Sequence, residues 1–200
     1  MKKFLLTLLV AVAFSMAESQ PFTHDGFFLN LAFGIGGQSF EEKGTDGDFS
    51  IDAGGGSSEL DFKIGGRVVE NMMLHATFLG VRTAGLDVTY RGETRTYKNS
   101  VEQMNLYGMG VTYYMPMNFF VSGSLGVVIF ALDKANEGKV DATSDRGFGF
   151  QFAAGKEWWV SDNWGIGVEA ALTYGSADDQ NDAGEMSGLG INVMFSATFN

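Results

Sequence analysis

Cysteine is absent from this chain of 200 residues, and proline occurs only twice. Without cysteine no disulfide can form, so packing and hydrogen bonds must stabilise the fold. Long apolar runs are also lacking. After the first residues, no stretch of about 18 apolar residues is found, which excludes a transmembrane helix.

Basic residues are scarce as well. The chain has 13 Lys and Arg against 24 Asp and Glu, giving a net charge of −11. Because the overall field is negative, we expect neither nucleic acid nor an anionic lipid surface to attract the protein through its net charge.

The first 17 residues have the composition of a secretory signal peptide. Lys2 and Lys3 supply the positive start, residues 4–14 are mostly apolar, and Ser15-Met16-Ala17 resembles a cleavage site. The alternative is a short membrane anchor, but the apolar stretch is too short to span a bilayer. We therefore predict an exported protein with a signal peptide at 1–17 and one domain at 18–200.

Large apolar residues alternate with small or polar ones along the whole predicted domain, which is the period of a β-strand. Eight such segments can be counted, each with about the 9–11 residues that a tilted membrane strand needs. In the first, Leu31 and Phe33 alternate with Ala32 and Gly34. The fourth is weaker, and sets Met104, Leu106, Thr112 and Tyr114 against Gln103, Asn105, Tyr107 and Met109.

The connections between these segments alternate in length. Long ones are predicted at 39–58, 83–100, 131–146 and 176–187, and short ones at 69–72, 115–118 and 160–163. Short turns at one end and long loops at the other are typical of outer-membrane barrels. Lipid offers no hydrogen-bond partners, so such a sheet must close on itself. The sequence therefore predicts an all-β fold, an eight-stranded antiparallel up-and-down transmembrane β-barrel.

Aromatic residues cluster near the short turns and at the ends of the predicted domain. Folding the strands up and down brings them to one level, where they would form a girdle at the periplasmic interface. The members that we predict are Phe27, Tyr114, Phe119, Trp158, Trp164 and Phe199. The alternative is a set of core aromatics in a soluble sandwich.

Two stretches resemble the small OmpA/OmpX-like outer-membrane barrels of Gram-negative bacteria. Residues 155–165 look like the aromatic-flanked short turn of that family, and residues 191–199 look like its C-terminal insertion signal. The family usually ends on the aromatic residue, whereas this chain ends Phe199-Asn200. The resemblance implies an outer-membrane location, surrounding lipid and lipopolysaccharide, and passage by periplasmic chaperones to the barrel-assembly machinery. It implies no activity, and we expect a monomer.

Charged residues on the inward faces are the candidate site. We predict that Lys63, Arg67, Glu157 and Glu169 lie in a narrow lumen filled by side chains. Unpaired charges there would be costly, so we expect the cross-lumen pairs Arg67–Glu157 and Lys63–Glu169. Their role is either structural or that of a gated ion path.

The sequence gives little reason to expect catalysis or metal binding. The histidines are His24, before the first strand, and His75, which should face the lumen; no Gly-x-Ser-x-Gly motif occurs. Asp46-x-Asp48 begins like a calcium loop, but Ser57 stands where a bidentate Glu is required. We therefore predict no catalytic residues, no cofactor and no metal site. The acidic loops are expected to be solvated, with loose divalent-ion bridging to lipopolysaccharide as the alternative.

Three functions follow from this prediction. The one we favour is a structural or interaction protein that displays its extracellular loops at the cell surface. The second is a narrow channel for ions or small solutes. The third is a soluble exported barrel that binds an apolar ligand, as lipocalins do, with its Phe and Leu faces turned inward.

Overall fold

The chain forms a closed antiparallel β-barrel in its computed structural model. The structure describes residues 22–24, 26–44, 50–90, 93–134, 140–179 and 184–200. The predicted signal peptide at 1–17 lies outside the described residues.

Nine named strands make up the sheet. They are β1 (Phe27–Gly44), β2 (Ser50–Val69), β3 (Met72–Tyr90), β4 (Glu93–Tyr114), β5 (Phe119–Lys134), β6 (Val140–Thr143), β7 (Gly147–Trp159), β8 (Trp164–Asp178) and β9 (Gly184–Phe199). Strands β6 and β7 both pair with β5, and Ser144 bridges the gap between them by exchanging hydrogen bonds with the backbone of Phe130. The two therefore share one position in the wall, and the predicted eight-stranded barrel is confirmed.

The barrel closes because β1 pairs with β9 and β4 pairs with β5. All neighbouring strands run antiparallel, and each of the eight wall positions is paired on both sides, as a sheet surrounded by lipid requires. The turns at 70–71, 115–118 and 160–163 are as short as predicted, and Asn71 adopts a positive φ of 59°, which asparagine tolerates better than most residues. Among the described residues, no helix is long and apolar enough to cross a bilayer.

The strands are far longer than predicted. Strand β4 has 22 residues and β2 has 20, whereas we expected 9–11. The segments assigned to long loops are largely strand: β1 continues to Gly44 and β2 begins at Ser50. Alternation of apolar and polar residues fades in these segments, which are polar and Gly-rich, so the sequence pattern could not show that the ladder continues.

Large apolar side chains are exposed on the outer wall. They form a continuous surface that we call the belt, and Phe195, at 72% exposure, shows how open it is. Other members are Leu31, Phe33, Ile35, Leu60, Phe78, Met109, Leu125, Val127, Phe152, Ile166, Ile191 and Val193. Polar residues such as Asn192 and Thr173 are buried inside. The soluble lipocalin-like alternative needs the opposite orientation and is wrong.

The fourth strand has the opposite orientation to the one its pattern suggested. Met104, Leu106 and Tyr114 point into the lumen, and Tyr107 and Met109 face outward. Both faces of β4 carry large residues, so alternation could not decide between them. Inside, Met104 and Leu106 join Phe40, Leu79, Val81, Val128, Phe130 and Ala177 in an apolar cluster that we call the upper plug.

Candidate functional site in the barrel lumen

Lys63 and Asp61 form an ion pair deep inside the barrel. The Lys63 Nζ lies 2.9 Å from Asp61 Oδ2, and the two side chains are 2% and 0% exposed. The predicted partner Glu169 is also buried in the lumen and lies within electrostatic reach of Lys63. The direct contact of Lys63 is thus with its own strand, because residues two apart share a face, and Glu169 is its more distant neighbour.

Arg67 was placed wrongly. Its side chain is exposed, and its backbone N–H donates to the carbonyl of Gly26 at 2.9 Å. Arg67 pairs with Met73, whose side chain is buried, so the alternation still holds at this position; but Arg67 lies at the short-turn end of β2, where its side chain reaches solvent. The predicted Arg67–Glu157 pair is therefore not formed, and Glu157 instead accepts a hydrogen bond from the Tyr114 hydroxyl at 3.4 Å.

Glu59 is the centre of a network that the sequence analysis missed. Its carboxylate accepts hydrogen bonds from Gln151 (2.7 Å), Asn192 (2.7 Å) and Thr173 (3.3 Å). Ser57 donates to Asn192 Oδ1 at 2.7 Å. The network joins β2 to β7, β8 and β9 across the interior. The inward alternation from Lys63 through Asp61 to Glu59 and Ser57 could have revealed it, had β2 been extended past Leu60.

His75 faces the lumen, as predicted, and is surrounded by hydroxyl groups. Its ring nitrogens lie 3.0 Å from Thr77 Oγ1 and 3.0 Å from Thr112 Oγ1. Those threonines are in turn hydrogen bonded to Ser124 and Ser122, each at 2.9 Å. Both nitrogens therefore have partners within the wall, and His75 stitches β3, β4 and β5 together.

Aromatic rings close the lumen at the short-turn end. Phe28, Met73, Tyr114 and Phe120 form a buried cluster that we call the lower plug. His24 stacks on Tyr114 with a centroid separation of 3.3 Å and an interplanar angle of 8°. We expected His24 outside the barrel, but the segment before β1 places it, buried, at the short-turn end of the lumen. In the same segment, the Phe22 N–H donates to the Asp162 carbonyl at 2.9 Å.

The predicted girdle is present in part. Phe119, Trp158 and Trp164 are exposed on the outer wall near the short turns, and Phe199 packs edge-on against Trp164. Phe27 contacts Phe199 but is only 7% exposed. Tyr114 belongs to the lower plug, so its assignment to the girdle is wrong; its neighbour Tyr113 faces outward.

A cation reinforces the girdle. Lys156 Nζ lies 4.3 Å from the centroid of the Phe119 ring and donates to the Met117 carbonyl at 2.7 Å. An ammonium at this level is typical of an interface where long basic side chains reach from the apolar zone into water.

Acidic groups outnumber basic ones between the two plugs. Glu59, Asp61 and Glu169 are buried there, with Lys63 as the cation among them, and Glu157 is buried beside Tyr114 of the lower plug. Both Glu169 oxygens, and Asp61 Oδ1, have no hydrogen-bond partner among the described residues. Buried polar atoms of this kind require protons, ions or water.

The described residues contain no group of three or more His, Cys, Asp or Glu side chains arranged to hold a metal ion. The loop acids Asp46 and Asp48 lie outside the described residues. Glu41, on the part that the structure describes, is instead paired with Lys43 at 2.9 Å.

A closed eight-stranded antiparallel barrel, with an apolar outer wall and a polar filled lumen, has the fold of the small outer-membrane β-barrels. Solved structures agree. The chain is similar to Neisserial surface protein A (NspA), with a TM-score of 0.51 and 11% identity over 86% of this chain and 96% of that one.

Two other barrels are similar at lower scores. OprG of Pseudomonas aeruginosa has a TM-score of 0.46 and 12% identity, covering 89% of this chain and 98% of that one. The outer membrane protease OmpT of Escherichia coli has a TM-score of 0.44 and 13% identity, covering 91% and 99%. No family model matches the chain, and no curated protein sequence does. At these identities the likeness concerns the fold.

Proposed function

We propose that the protein is an integral outer-membrane barrel that displays long β-hairpins at the cell surface and serves there as a structural or interaction protein. The belt supports membrane insertion, since side chains such as Phe33, Leu125 and Phe195 would be poorly placed in water. Lipid and lipopolysaccharide then surround the wall. The proposal includes export through a signal peptide at 1–17, periplasmic chaperones, the barrel-assembly machinery and a monomeric state.

The orientation follows from the two ends of the barrel. The aromatic girdle and the short turns would lie at the periplasmic interface, and the extended hairpins would rise beyond the outer leaflet. A β-strand advances about 3.4 Å per residue. The 22 residues of β4 therefore make a strand about twice as long as a bilayer requires.

The filled lumen is the observation that supports a role in displaying surface hairpins. The upper and lower plugs close the interior at two levels, and the network around Glu59 ties opposite walls together. A lumen of this kind rigidifies the barrel, which suits a scaffold for surface hairpins. The two histidines are engaged in structural contacts, so we propose a role without catalysis.

The exposed hairpins present a mainly acidic surface. Asp52, Asp178 and Glu185 lie near the ends of β2, β8 and β9, and Ser176 donates to Glu185 at 2.6 Å. A partner that binds this surface would carry basic groups, because opposite charges favour association.

Fractionation combined with a heat-shift gel tests the proposal. We expect the protein in the outer-membrane pellet, with a different mobility unheated than boiled, because a closed barrel resists detergent until heated. A folded monomer in detergent-free buffer would overturn the proposal.

A narrow channel is the second candidate, and the carboxylates of Glu169 and Asp61 favour it. Their oxygens, which have no hydrogen-bond partner among the described residues, could attract a cation into the lumen. Planar-bilayer conductance of Lys63→Ala tests this, with Arg67→Ala as the matched control because the Arg67 side chain is exposed at the short-turn end of β2. Conductance at baseline in both variants would reject the channel.

A further inference from the structure

A groove of about 360 Å³ indents the outer wall over β1, β2, β3 and β4. Its one end is lined by belt side chains, Phe33, Leu60, Phe78 and Tyr107. Its other end is polar and carries Ser58, Arg82, Gln103 and Asn105, with Gly80 between them. We call it the Arg82 groove. An apolar half joined to a cationic, amide-rich half is the arrangement that an amphipathic ligand fills.

Arg82 is unusual for its depth in the wall. Counted from its own short turn or chain end, the position that matches Arg82 carries Ile129 on β5, Tyr174 on β8 and Leu189 on β9. Strands of one barrel tilt to a similar degree, so these positions lie at comparable heights. The polar end of the groove therefore lies at a level at which β5, β8 and β9 still carry apolar or aromatic residues on the wall.

An exposed arginine at that level needs an anionic partner. A guanidinium facing hydrocarbon is costly, and its long side chain reaches toward phosphates where it can. The wall offers donors around it. Gln103 Nε2 donates to Asn105 Oδ1 at 2.8 Å, which leaves further amide N–H groups of both residues for a ligand. Glu59 also lines the groove, but its carboxylate is engaged on the lumen side.

We propose that the Arg82 groove binds one phosphorylated lipid of the outer leaflet. The phosphate pairs with Arg82 and accepts from the amides of Gln103 and Asn105, and an acyl chain lies along Leu60, Phe78 and Phe33. Arginine suits this task because its planar fork donates two hydrogen bonds to one phosphate. The inference rests on the proposed membrane insertion. One lipid molecule would then stay bound to the wall at β1–β4.

Native mass spectrometry of the refolded barrel in micelles tests the groove. The probes are lipid A with its phosphates, the same lipid dephosphorylated, and inorganic phosphate. The variants are Arg82→Ala, Arg82→Lys and the control Arg146→Ala, which removes an exposed arginine at the start of β7. A heat-shift gel first verifies that each variant is a folded barrel.

We expect the wild type and Arg146→Ala to retain phosphorylated lipid A, and Arg82→Ala to lose about tenfold in retention, since a charge-assisted pair is removed. Arg82→Lys should retain an intermediate amount. Equal retention of both lipids, equal loss in Arg146→Ala, or binding of inorganic phosphate without preference for the lipid would overturn the groove while leaving membrane insertion intact. Wild-type protein that folds without detergent would instead overturn the proposed function, and the groove with it.

Discussion

Glu59 stabilises the barrel by accepting hydrogen bonds that three other strands donate. Because the site is buried, replacing one carboxylate oxygen of Glu59 by an amide NH₂ group would place that donor against another donor. We predict that Glu59→Gln lowers the free energy of unfolding by about 1–3 kcal/mol. Urea titration in micelles measures it. The control is Asp178→Asn, an exposed residue, for which we expect a change below about 0.5 kcal/mol. Equal effects of the two substitutions would contradict the role of Glu59.

Glu42 lies near the end of β1, beyond the belt, and makes the stability of the folded state depend on pH. Burial, and to a smaller extent the Asp179 carboxylate, raises the pKa of Glu42 above its ordinary value. At pH values between the ordinary and the raised pKa, the folded state holds a proton on Glu42 that the unfolded state has released. Its contribution to stability is therefore lost as the pH rises from the ordinary value through the raised one.

We predict that Glu42→Gln weakens this dependence and protects the top of β1 at neutral pH. Hydrogen exchange of β1 amides between pH 4 and 8 measures it, and Asp162→Asn, an exposed residue at the opposite end, is the control. Protection that falls with pH as steeply in Glu42→Gln as in the wild type would count against the prediction.

Single residues also show where a sequence pattern stops being informative. Lys63 and Glu169 were placed in the lumen because their neighbours alternate without interruption. The burial of Arg67 was predicted wrongly because the residue lies two positions before the end of β2, and alternation does not show how close a position is to the barrel opening. Tyr113 and Tyr114 are chemically alike, so their types do not show which of them turns inward; Tyr114 follows the inward parity of Leu106 and Thr112.

At the level of the strands, a substitution on the outer face of β9 tests which side of the wall contacts lipid. Phe195 lies in the belt, 72% exposed. We predict that Phe195→Lys costs about 2–4 kcal/mol if the site is near the middle of the bilayer, since a cation there faces hydrocarbon. The measurement is unfolding in lipid vesicles. In the control Asp178→Lys, above the belt, the cost should be near zero; a soluble barrel would tolerate both.

The strands also show what the sequence predicted well and what it did not. Eight wall positions and three short turns were predicted correctly, since the exposed apolar belt imposes alternation on the lower part of each strand. The upper parts of β1 to β4 were predicted as loops, because their polar and Gly-rich segments show no strict alternation. The upper plug was missed for a related reason: Leu79 and Val81 are apolar inside, whereas we expected polar residues.

The whole molecule contains two barriers in series. The upper plug holds the Phe40–Phe130 pair, with centroids 6.2 Å apart, and the lower plug holds the Tyr114–Phe120 pair at 5.7 Å. Between them lie the buried carboxylates and Lys63. Flow through a series arrangement is limited by whichever barrier stays closed, so opening one end should expose the polar chamber without creating a pore.

We therefore predict that Phe40→Ala/Phe130→Ala and Phe120→Ala each leave planar-bilayer conductance at baseline, and that the triple variant conducts. Each Phe→Ala change costs roughly 3–5 kcal/mol when the site cannot collapse, so a heat-shift gel must first establish that every variant is folded. Phe148→Ala, on the outer wall, is the control. If the triple variant conducts, cations should be favoured, because Glu59, Asp61, Glu157 and Glu169 would line the opened path against the single Lys63. Conductance in either partial variant would show that one plug alone closes the barrel.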